Sequence, residues 1–128
     1  MNSTNKKECD SATFELRENY LYVKYKDDSV IDLEEAKIQS MIIIDLCQGK
    51  KMPFVIDLLN INTRVDDDAR RFSADDGPHT QIRKAQALLV NNIQSKLLTN
   101  FYIKFHKPKN PIKTFDNLHD ALVWIKTL

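Results

Sequence analysis

The residues best suited to chemistry follow an apolar run in the stretch KMPFVIDLLNINTRVDDDARRF, which begins at Lys51. The run ends on Asp57, and Asp66, Asp67 and Asp68 come after a polar turn. Paired carboxylates perform acid–base chemistry when unlike environments separate their pKa values. Adjacent aspartates at an exposed helix start share one solvated environment, so hydrolysis is not expected there. Helix capping explains them better, with Asp66 as N-cap and the other two in the first turn.

The other side chains able to do chemistry are dispersed along the chain. His79, His106 and His119 give no i,i+4 ligand pair, and neither cysteine belongs to a CxxC motif. Cys9 lies in a polar leader, and Cys47 in a helical apolar pattern fits a small core residue better than a reactive thiol. No nucleophile with a base in reach and no glycine-rich phosphate loop can be named. The sequence predicts no enzymatic activity, no cofactor and no metal.

The segment KFHKPKNPIK has the strongest local positive charge, with lysines around Phe105 and His106. Lysines among aromatic residues can bind single-stranded nucleic acid. Phe105, however, is predicted on the buried side of a strand, and lysines on an edge strand also prevent edge-to-edge aggregation. That second interpretation is favoured, since 19 Lys and Arg against 18 Asp and Glu attract polyanions little. No specific nucleic acid partner is expected. The lysines are Lys104, Lys107, Lys109 and Lys113.

A chain of 128 residues, 42% of them hydrophobic, is long enough for one domain with its own core. Residues 1–11 are expected to be a flexible N-terminal leader and residues 12–128 a single domain. The leader lacks the apolar core of a signal peptide, and the longest apolar run, MIII, stops at Asp45. We therefore expect a cytoplasmic protein without a transmembrane segment.

Hydrophobic periodicity predicts the elements of the first half. TFELREN and YLYVKYK alternate apolar with polar residues and predict an antiparallel hairpin. Asp32 and Glu35 have capping-box spacing, and the helix they open should end at Gly49. MPFVIDLL predicts a strand covered on both faces. The buried face of the helix is predicted to comprise Leu33, Ala36, Ser40, Ile43, Ile44 and Cys47.

The second half should contain a short helix from the aspartates to Phe72, then a third helix over GPHTQIRKAQALLV. NFYIKFHK alternates like a half-exposed strand, and KPKNPIKTF is predicted to be irregular because of its prolines. Asp116 is expected to cap a last helix. This order predicts an α/β fold, a mixed sheet with an N-terminal hairpin, central parallel strands and about four helices. The third helix would bury Ile82, Ala85, Leu88 and Leu89, and the last one Leu118, Ala121, Leu122, Ile125 and Leu128.

The strings ARRF, IRKAQALLV, NFYIKFHKPKNPIKTF and ALVWIKTL resemble the small bacterial STAS-like proteins of unknown function. These proteins are related in fold to anti-sigma factor antagonists and to the SEC14-like lipid-binding architecture. The resemblance spans residues 13–128, and its most specific part is residues 100–115 together with Ala121 and Trp124. It implies a STAS-like fold.

Anti-sigma factor antagonists end the central strand in Asp-Leu and carry a phosphorylated serine in a loop beyond it. Asp57 and Leu58 match the strand end, but the serine position falls on RVDDDA, which has no serine, threonine or glycine. Permanent mimicry of the phosphorylated state by Asp66 is disfavoured, because a carboxylate copies a dianionic phosphate poorly. The resemblance therefore implies an interaction module without the phosphoacceptor.

Two functions stay open. The first is a non-enzymatic cytosolic interaction or regulatory module that binds an unidentified protein partner through the loop after Leu58 and the short helix. The alternative is a carrier of a small apolar or lipid-like ligand. A patch on the first helix fits a wall of such a pocket, a protein contact or simple core widening, and core widening is slightly favoured. Homodimerisation is compatible with either function. The predicted partner surface comprises Asn60, Asn62, Arg64, Asp66, Asp67, Asp68 and Arg71, and the patch comprises Ile38, Met41 and Ile42.

Overall fold

Residues 5–92 and 110–128 are described by the structure, a computed structural model. Within them the chain forms, in order, β1 (Lys6–Glu8), β2 (Ala12–Leu16), β3 (Leu21–Tyr25), β4 (Ser29–Ile31), α1 (Leu33–Cys47), β5 (Met52–Asp57), β6 (Thr63–Val65), α2 (Asp67–Arg71), β7 (Arg83–Leu89), β8 (Ile112–Phe115) and α3 (Leu118–Ile125). A π-helical segment, Phe72–Asp76, and a 3₁₀ turn, Pro78–Gln81, join α2 to β7.

Six strands form one mixed sheet in the order β1-β2-β3-β5-β7-β8. The first three are antiparallel, whereas β3, β5, β7 and β8 run parallel. β4 and β6 form a separate parallel pair. The predicted mixed α/β sheet is confirmed, although the described residues contain three α-helices where about four were predicted.

The predicted N-terminal hairpin is confirmed as β2 and β3. Phe14 pairs with Val23, and these two side chains with Leu21 are buried in a core cluster beneath α1. β1 lies inside the stretch predicted as a flexible leader, where Lys7 pairs with Phe14. Residues 6–8 therefore belong to the sheet.

Helix α1 begins and ends as predicted. The Asp32 side chain accepts a hydrogen bond from the Glu35 backbone N–H at 2.8 Å and so caps the first turn. Gln48 and Gly49 both have positive φ and stop the helix after Cys47. The buried face differs in part from the prediction, because Leu33 and Ile44 are only half-buried. It comprises Ala36, Gln39, Ser40, Ile43, Leu46 and Cys47.

Strand β5 is the predicted central strand, with β3 and β7 as parallel neighbours. Alternate residues face opposite layers, since Met52 and Phe54 join the core beneath α1 while Val55 joins the core beneath α3. α2 and the π-helical segment pack against α1, and α3 packs against β7 and β8. Helices thus cover both faces of the sheet. No helix in the described ranges has the length and apolar character needed to cross a bilayer.

The third predicted helix is wrong. Its first residues form the 3₁₀ turn, and Arg83–Leu89 is strand β7, hydrogen-bonded between β5 and β8. A strand covered on both faces is apolar on both faces, so its residues also match a helical stripe. The predicted buried face of this helix comprises Ile82, Ala85, Leu88 and Leu89. Of these, Ala85 and Leu89 are fully buried within the strand.

Two predictions near the C-terminus are also corrected. Ile112–Phe115 is strand β8 although it was predicted to be irregular, because the prolines precede the strand and leave its N–H groups free to pair. The N-cap of α3 is Asn117, one residue after the predicted Asp116, and its side chain accepts from the Asp120 N–H at 2.9 Å. The predicted strand NFYIKFHK lies outside the described residues, as do Lys104, Lys107 and Lys109.

Candidate functional site

A cavity of about 240 Å³ lies between α1, the segment from Val65 to His79, and the sheet. Its apolar wall comes from α1 and from the central strands, with Ile43, Phe54, Ile56 and Leu88 as main members. The polar groups at its surface come from six separate parts of the chain. They are Tyr25, Gln39, Ser40, Thr63, Arg70, Ser73, His79, Arg83 and Gln86.

A β-bulge aims Arg83 at this cavity. Met52 pairs with Arg83, but Phe54 pairs with Gln86, so β7 has one residue more than β5 over this interval. The extra residue shifts the alternation, which places Arg83 on the same side of the sheet as Gln86 and Leu88. All three line the cavity.

The guanidinium of Arg83 is buried and held by three acceptors. Nη1 donates to the Ser73 carbonyl at 2.8 Å, Nη2 to the Ala74 carbonyl at 2.9 Å, and Nε to Asn110 Oδ1 at 2.9 Å. These bonds connect β7 to the π-helical segment and to Asn110, which precedes β8. A guanidinium fixed in this way holds a positive charge at a constant position in the wall.

His79 is a second buried polar group of the wall. Its Nε2 lies 3.0 Å from the Ser73 carbonyl oxygen and its Nδ1 lies 2.8 Å from Ser40 Oγ. A carbonyl only accepts, so Nε2 carries the proton and Ser40 donates to Nδ1. Burial, followed by the positive charge of Arg83, lowers the pKa of His79 to about 4. The imidazole is therefore neutral near neutral pH.

A chain of hydrogen bonds holds the α1 side of the cavity. Tyr25 Oη donates to Gln39 Oε1 at 3.1 Å, and Gln39 Nε2 donates to Ser11 Oγ at 2.8 Å. Ser11 Oγ in turn donates to Glu35 Oε2 at 2.5 Å. Burial raises the pKa of Tyr25 to about 12, so the phenol keeps its proton. These polar groups are satisfied without a ligand.

Other polar side chains of the wall are still available. Across the described residues, no side-chain hydrogen bond is made by Thr63, Ser73 or Gln86. Arg70 lies at the rim, where Nη1 pairs with Asp67 at 3.1 Å and Nη2 donates to the Val65 carbonyl at 3.2 Å. The cavity therefore offers hydrogen-bonding groups beside an apolar wall.

Asp57 has a structural role on the opposite face of the sheet. Its carboxylate accepts a short hydrogen bond from the Tyr22 hydroxyl and one from the Leu59 N–H at 2.9 Å, and Lys24 Nζ lies 3.5 Å away. Buried next to the α3 core, it fixes the first residues of the loop after β5. It is thus separated from the three exposed aspartates of α2.

All seven residues of the predicted partner surface are exposed. Asn60 exchanges hydrogen bonds with Asn91, from its N–H to Oδ1 at 3.0 Å and from Asn91 Nδ2 to its Oδ1 at 2.8 Å. Asn62 is fixed by its N–H, which donates to Asp27 at 2.8 Å. Asp66 occupies the predicted N-cap position of α2 but makes no side-chain capping bond. Hydrogen bonds therefore fix the loop after β5 at Asn60 and at Asn62.

The predicted patch on α1 is separate from the cavity. Ile38 and Met41 are exposed, whereas Ile42 is half-buried and packs against the core beneath α1. None of the three lines the cavity, which α1 reaches through Gln39, Ser40 and Ile43. Ile42 fits the core-widening interpretation, and the two exposed residues do not.

Sequence reasoning missed Arg83, His79, Gln39 and Gln86 as site residues. Two signals could have pointed to them, a glutamine next to the buried Ser40 of a helix and an arginine at the start of an apolar run. Both signals are weak, because polar residues at such positions also occur on exposed edges of helices and strands. The bulge that aims Arg83 has no sequence pattern of its own here.

A second cavity of about 380 Å³ lies at the opposite, N-terminal ends of the parallel strands. Its lining includes Arg17 and four lysines, Lys50, Lys51, Lys84 and Lys126. Lys126 is the C-cap of α3, and Lys50 follows Gln48, the C-cap of α1, so both cations lie near the negative ends of helix dipoles. This cavity is less suited to an apolar ligand.

Comparison with known proteins identifies the family. The model of the family described as Domain of unknown function (DUF7793) matches residues 14–128. The chain belongs to this family. The DUF7793 match includes every residue of both the cavity and the predicted partner surface. No curated protein matches the chain.

Among solved structures, the chain is similar to an uncharacterised protein of the DUF3478 family with a SpoIIAA-like fold from Shewanella loihica PV-4. The two are 17% identical with a TM-score of 0.63, and the match covers 90% of this chain and 92% of that one. This likeness confirms the predicted STAS-like fold of the DUF7793 chain.

Proposed function

We propose that this chain is a non-enzymatic cytoplasmic module that binds one small amphipathic molecule in the cavity between α1 and the sheet. The observation that carries the proposal is the cavity itself, with an apolar wall on one side and convergent polar groups on the other. Its volume of about 240 Å³ is below the ~300–1,000 Å³ of usual ligand pockets, which favours a small ligand.

The composition of the wall supports binding over simple imperfect packing. The cavity is partly open to solvent, so an apolar ligand that enters it would remove the wall formed by Ile43, Ile56 and Leu88 from water. The half-buried side chains of Gln86 and Thr63 make no hydrogen bond within the described residues, so a ligand can take the place of water as their partner. A bound molecule would gain from both features. The proposal agrees with the lipid-binding side of the SEC14-like resemblance.

The cytoplasmic location is part of the proposal. Cys9 and Cys47 are both free thiols, which suits a reducing compartment.

The test is isothermal titration calorimetry with octanoate and 1-octanol as probes. At least one probe should bind saturably, with one molecule per chain. Leu88→Trp places an indole in the cavity and should abolish binding. Val123→Trp makes a similar change on the exposed face of α3 and should leave binding intact. Binding that survives Leu88→Trp, or no saturable binding of either probe, would contradict the proposal.

A second candidate is the interaction module, and one observation favours it. The segment that begins at Val65 lines the cavity through Arg70, Ser73 and Ala74, while its outer face carries Asp67 and Arg71. A ligand that contacts the inner side could therefore change the surface seen by a partner. In this form the two functions are compatible, and a protein partner or a second copy of the chain would dock on the predicted surface.

Affinity purification of the tagged chain from its native cells tests this second candidate. Arg64→Glu with Arg71→Glu reverses two exposed charges on the surface and should remove specific partners without changing the melting temperature. Lys50→Glu with Lys84→Glu makes the same charge change at the other end of the parallel strands and should leave them bound. Equal loss with both double variants would reject the proposed surface.

A further inference from the structure

We propose that the cavity selects an anion, namely a small amphipathic carboxylate whose charged end lies near Arg83 and Arg70. Its apolar body would lie against Ile43, Ile56 and Leu88. This inference rests on the proposed function and names the chemical class of the ligand.

The charges of the wall are of one sign. Two guanidinium groups line the cavity, and none of the described residues that line it is an aspartate or glutamate. His79 is neutral, so it neither adds to this charge nor opposes it. Charges interact more strongly in a partly desolvated site than in water. The binding of an anionic ligand is therefore strengthened, and the binding of a cationic ligand is weakened.

The geometry also favours an acceptor-rich ligand. Arg83 donates to the carbonyls of Ser73 and Ala74 and to Asn110, so its positive charge is fixed at the wall before a ligand arrives. A carboxylate accepts up to about four hydrogen bonds, and the Gln86 amide with the Thr63 hydroxyl can donate further ones. An alcohol could use far fewer of these donors.

Arg70 differs from Arg83 in that it can respond to the ligand. Its side chain is 41% exposed, and its contacts to Asp67 and to the Val65 carbonyl lie at the cavity rim. An anion beneath it would attract the guanidinium inward. Because Arg70 belongs to α2, this contact would also connect the ligand to the helix that bears Asp67 and Arg71.

Calorimetry near neutral pH with octanoate, 1-octanol and octylammonium tests the inference. These probes share an apolar chain and differ in the charge of the polar end. Octanoate should bind at least roughly tenfold tighter than 1-octanol, as a charge-assisted hydrogen bond implies. Octylammonium should bind weakest.

The variants distinguish a local effect from a general one. Arg70→Gln should weaken octanoate binding by roughly tenfold and leave 1-octanol unchanged. Arg71→Gln, the same substitution at the next residue but on the exposed surface, should leave both probes unchanged.

The possible failures are separable. If neither octanoate nor 1-octanol binds saturably, the proposed function itself is wrong. If 1-octanol binds as tightly as octanoate and Leu88→Trp abolishes both, the cavity binds ligands but does not select anions. Tightest binding of octylammonium, or equal effects of Arg70→Gln and Arg71→Gln, would also overturn the inference.

Discussion

Ser40 Oγ donates to Nδ1 of His79 across 2.8 Å, and this bond joins the middle of α1 to the 3₁₀ turn before β7. On the other side of the ring, Nε2 donates to the Ser73 carbonyl at 3.0 Å. Both nitrogens thus serve neutral partners, and the ring is buried near Arg83. The cavity wall is therefore built around an uncharged histidine.

The stability of the protein should depend on the protonation of His79. Its pKa is lowered from 6.5 to about 4, so the unfolded chain binds a proton at a pH where the folded chain does not. The contribution of His79 to the free energy of unfolding should be complete above pH 6.5. It should be lost as the pH falls from 6.5 to about 4, by about 3 kcal/mol in total. Urea unfolding at a series of pH values measures this slope.

Two variants separate titration from packing in that experiment. His79→Asn should lower stability near neutral pH and flatten its dependence on pH, because the titrating group is gone. Ser40→Ala also removes a hydrogen bond but keeps the imidazole, and burial and the charge of Arg83 still lower its pKa, so a dependence on pH should remain. An unchanged slope in His79→Asn would show that other groups cause the pH dependence.

Arg83 should stabilise the fold as well as the cavity. Arg83→Met leaves the Ser73 and Ala74 carbonyls without their shared donor and should cost about 3 kcal/mol. Arg71→Met, an exposed match, should change stability by less than about 0.5 kcal/mol. Chemical denaturation compares the two, and similar small effects would mean that the Arg83 bonds are replaced by water.

Asp57 should matter more than the residue that donates to it. Tyr22→Phe removes one donor, while the Leu59 N–H and Lys24 still satisfy the carboxylate, so we expect a cost of about 1 kcal/mol. Asp57→Ala leaves both the Tyr22 hydroxyl and the Leu59 N–H without their acceptor and should cost about 2–4 kcal/mol. Thermal unfolding compares the two variants. A larger loss of stability in Tyr22→Phe than in Asp57→Ala would contradict the structural role of Asp57.

The apolar residues of α1 should differ in their contribution to stability according to how exposed they are. Ile43→Ala removes a buried side chain and should cost about 2–5 kcal/mol. Met41→Ala, at a position 71% exposed, should change stability by less than about 0.5 kcal/mol. Comparable losses in the two variants would mean that Met41 is covered in solution, for example by a second copy of the chain.

The predictable part of the fold has strong local signals. The hairpin alternates over two strands, α1 has a cap and a glycine stop, and β5 is a continuous apolar run. The sequence of β7 predicts a helix because burial on both faces hides the two-residue period of the strand, and the bulge before Gln86 disturbs that period further.

The cavity was less predictable than the fold. Its residues come from distant parts of the chain, for example Tyr25, Ser40, Arg70 and Gln86, and no local pattern connects them. The exposure of the predicted partner surface is easier to predict, because Asp66–Asp68 and the arginines around them form a nearly continuous run of charged residues. Proximity in space has no counterpart in local periodicity.

Ligand binding inside the cavity can be located by a nuclear Overhauser measurement between octanoate and the methyl groups of the protein. Binding in the cavity predicts cross-peaks from the octanoate chain to Ile43, Ile56 and Leu88. Cross-peaks confined to the exposed Ile38 and Met41, or no intermolecular cross-peaks at saturating octanoate, would contradict it.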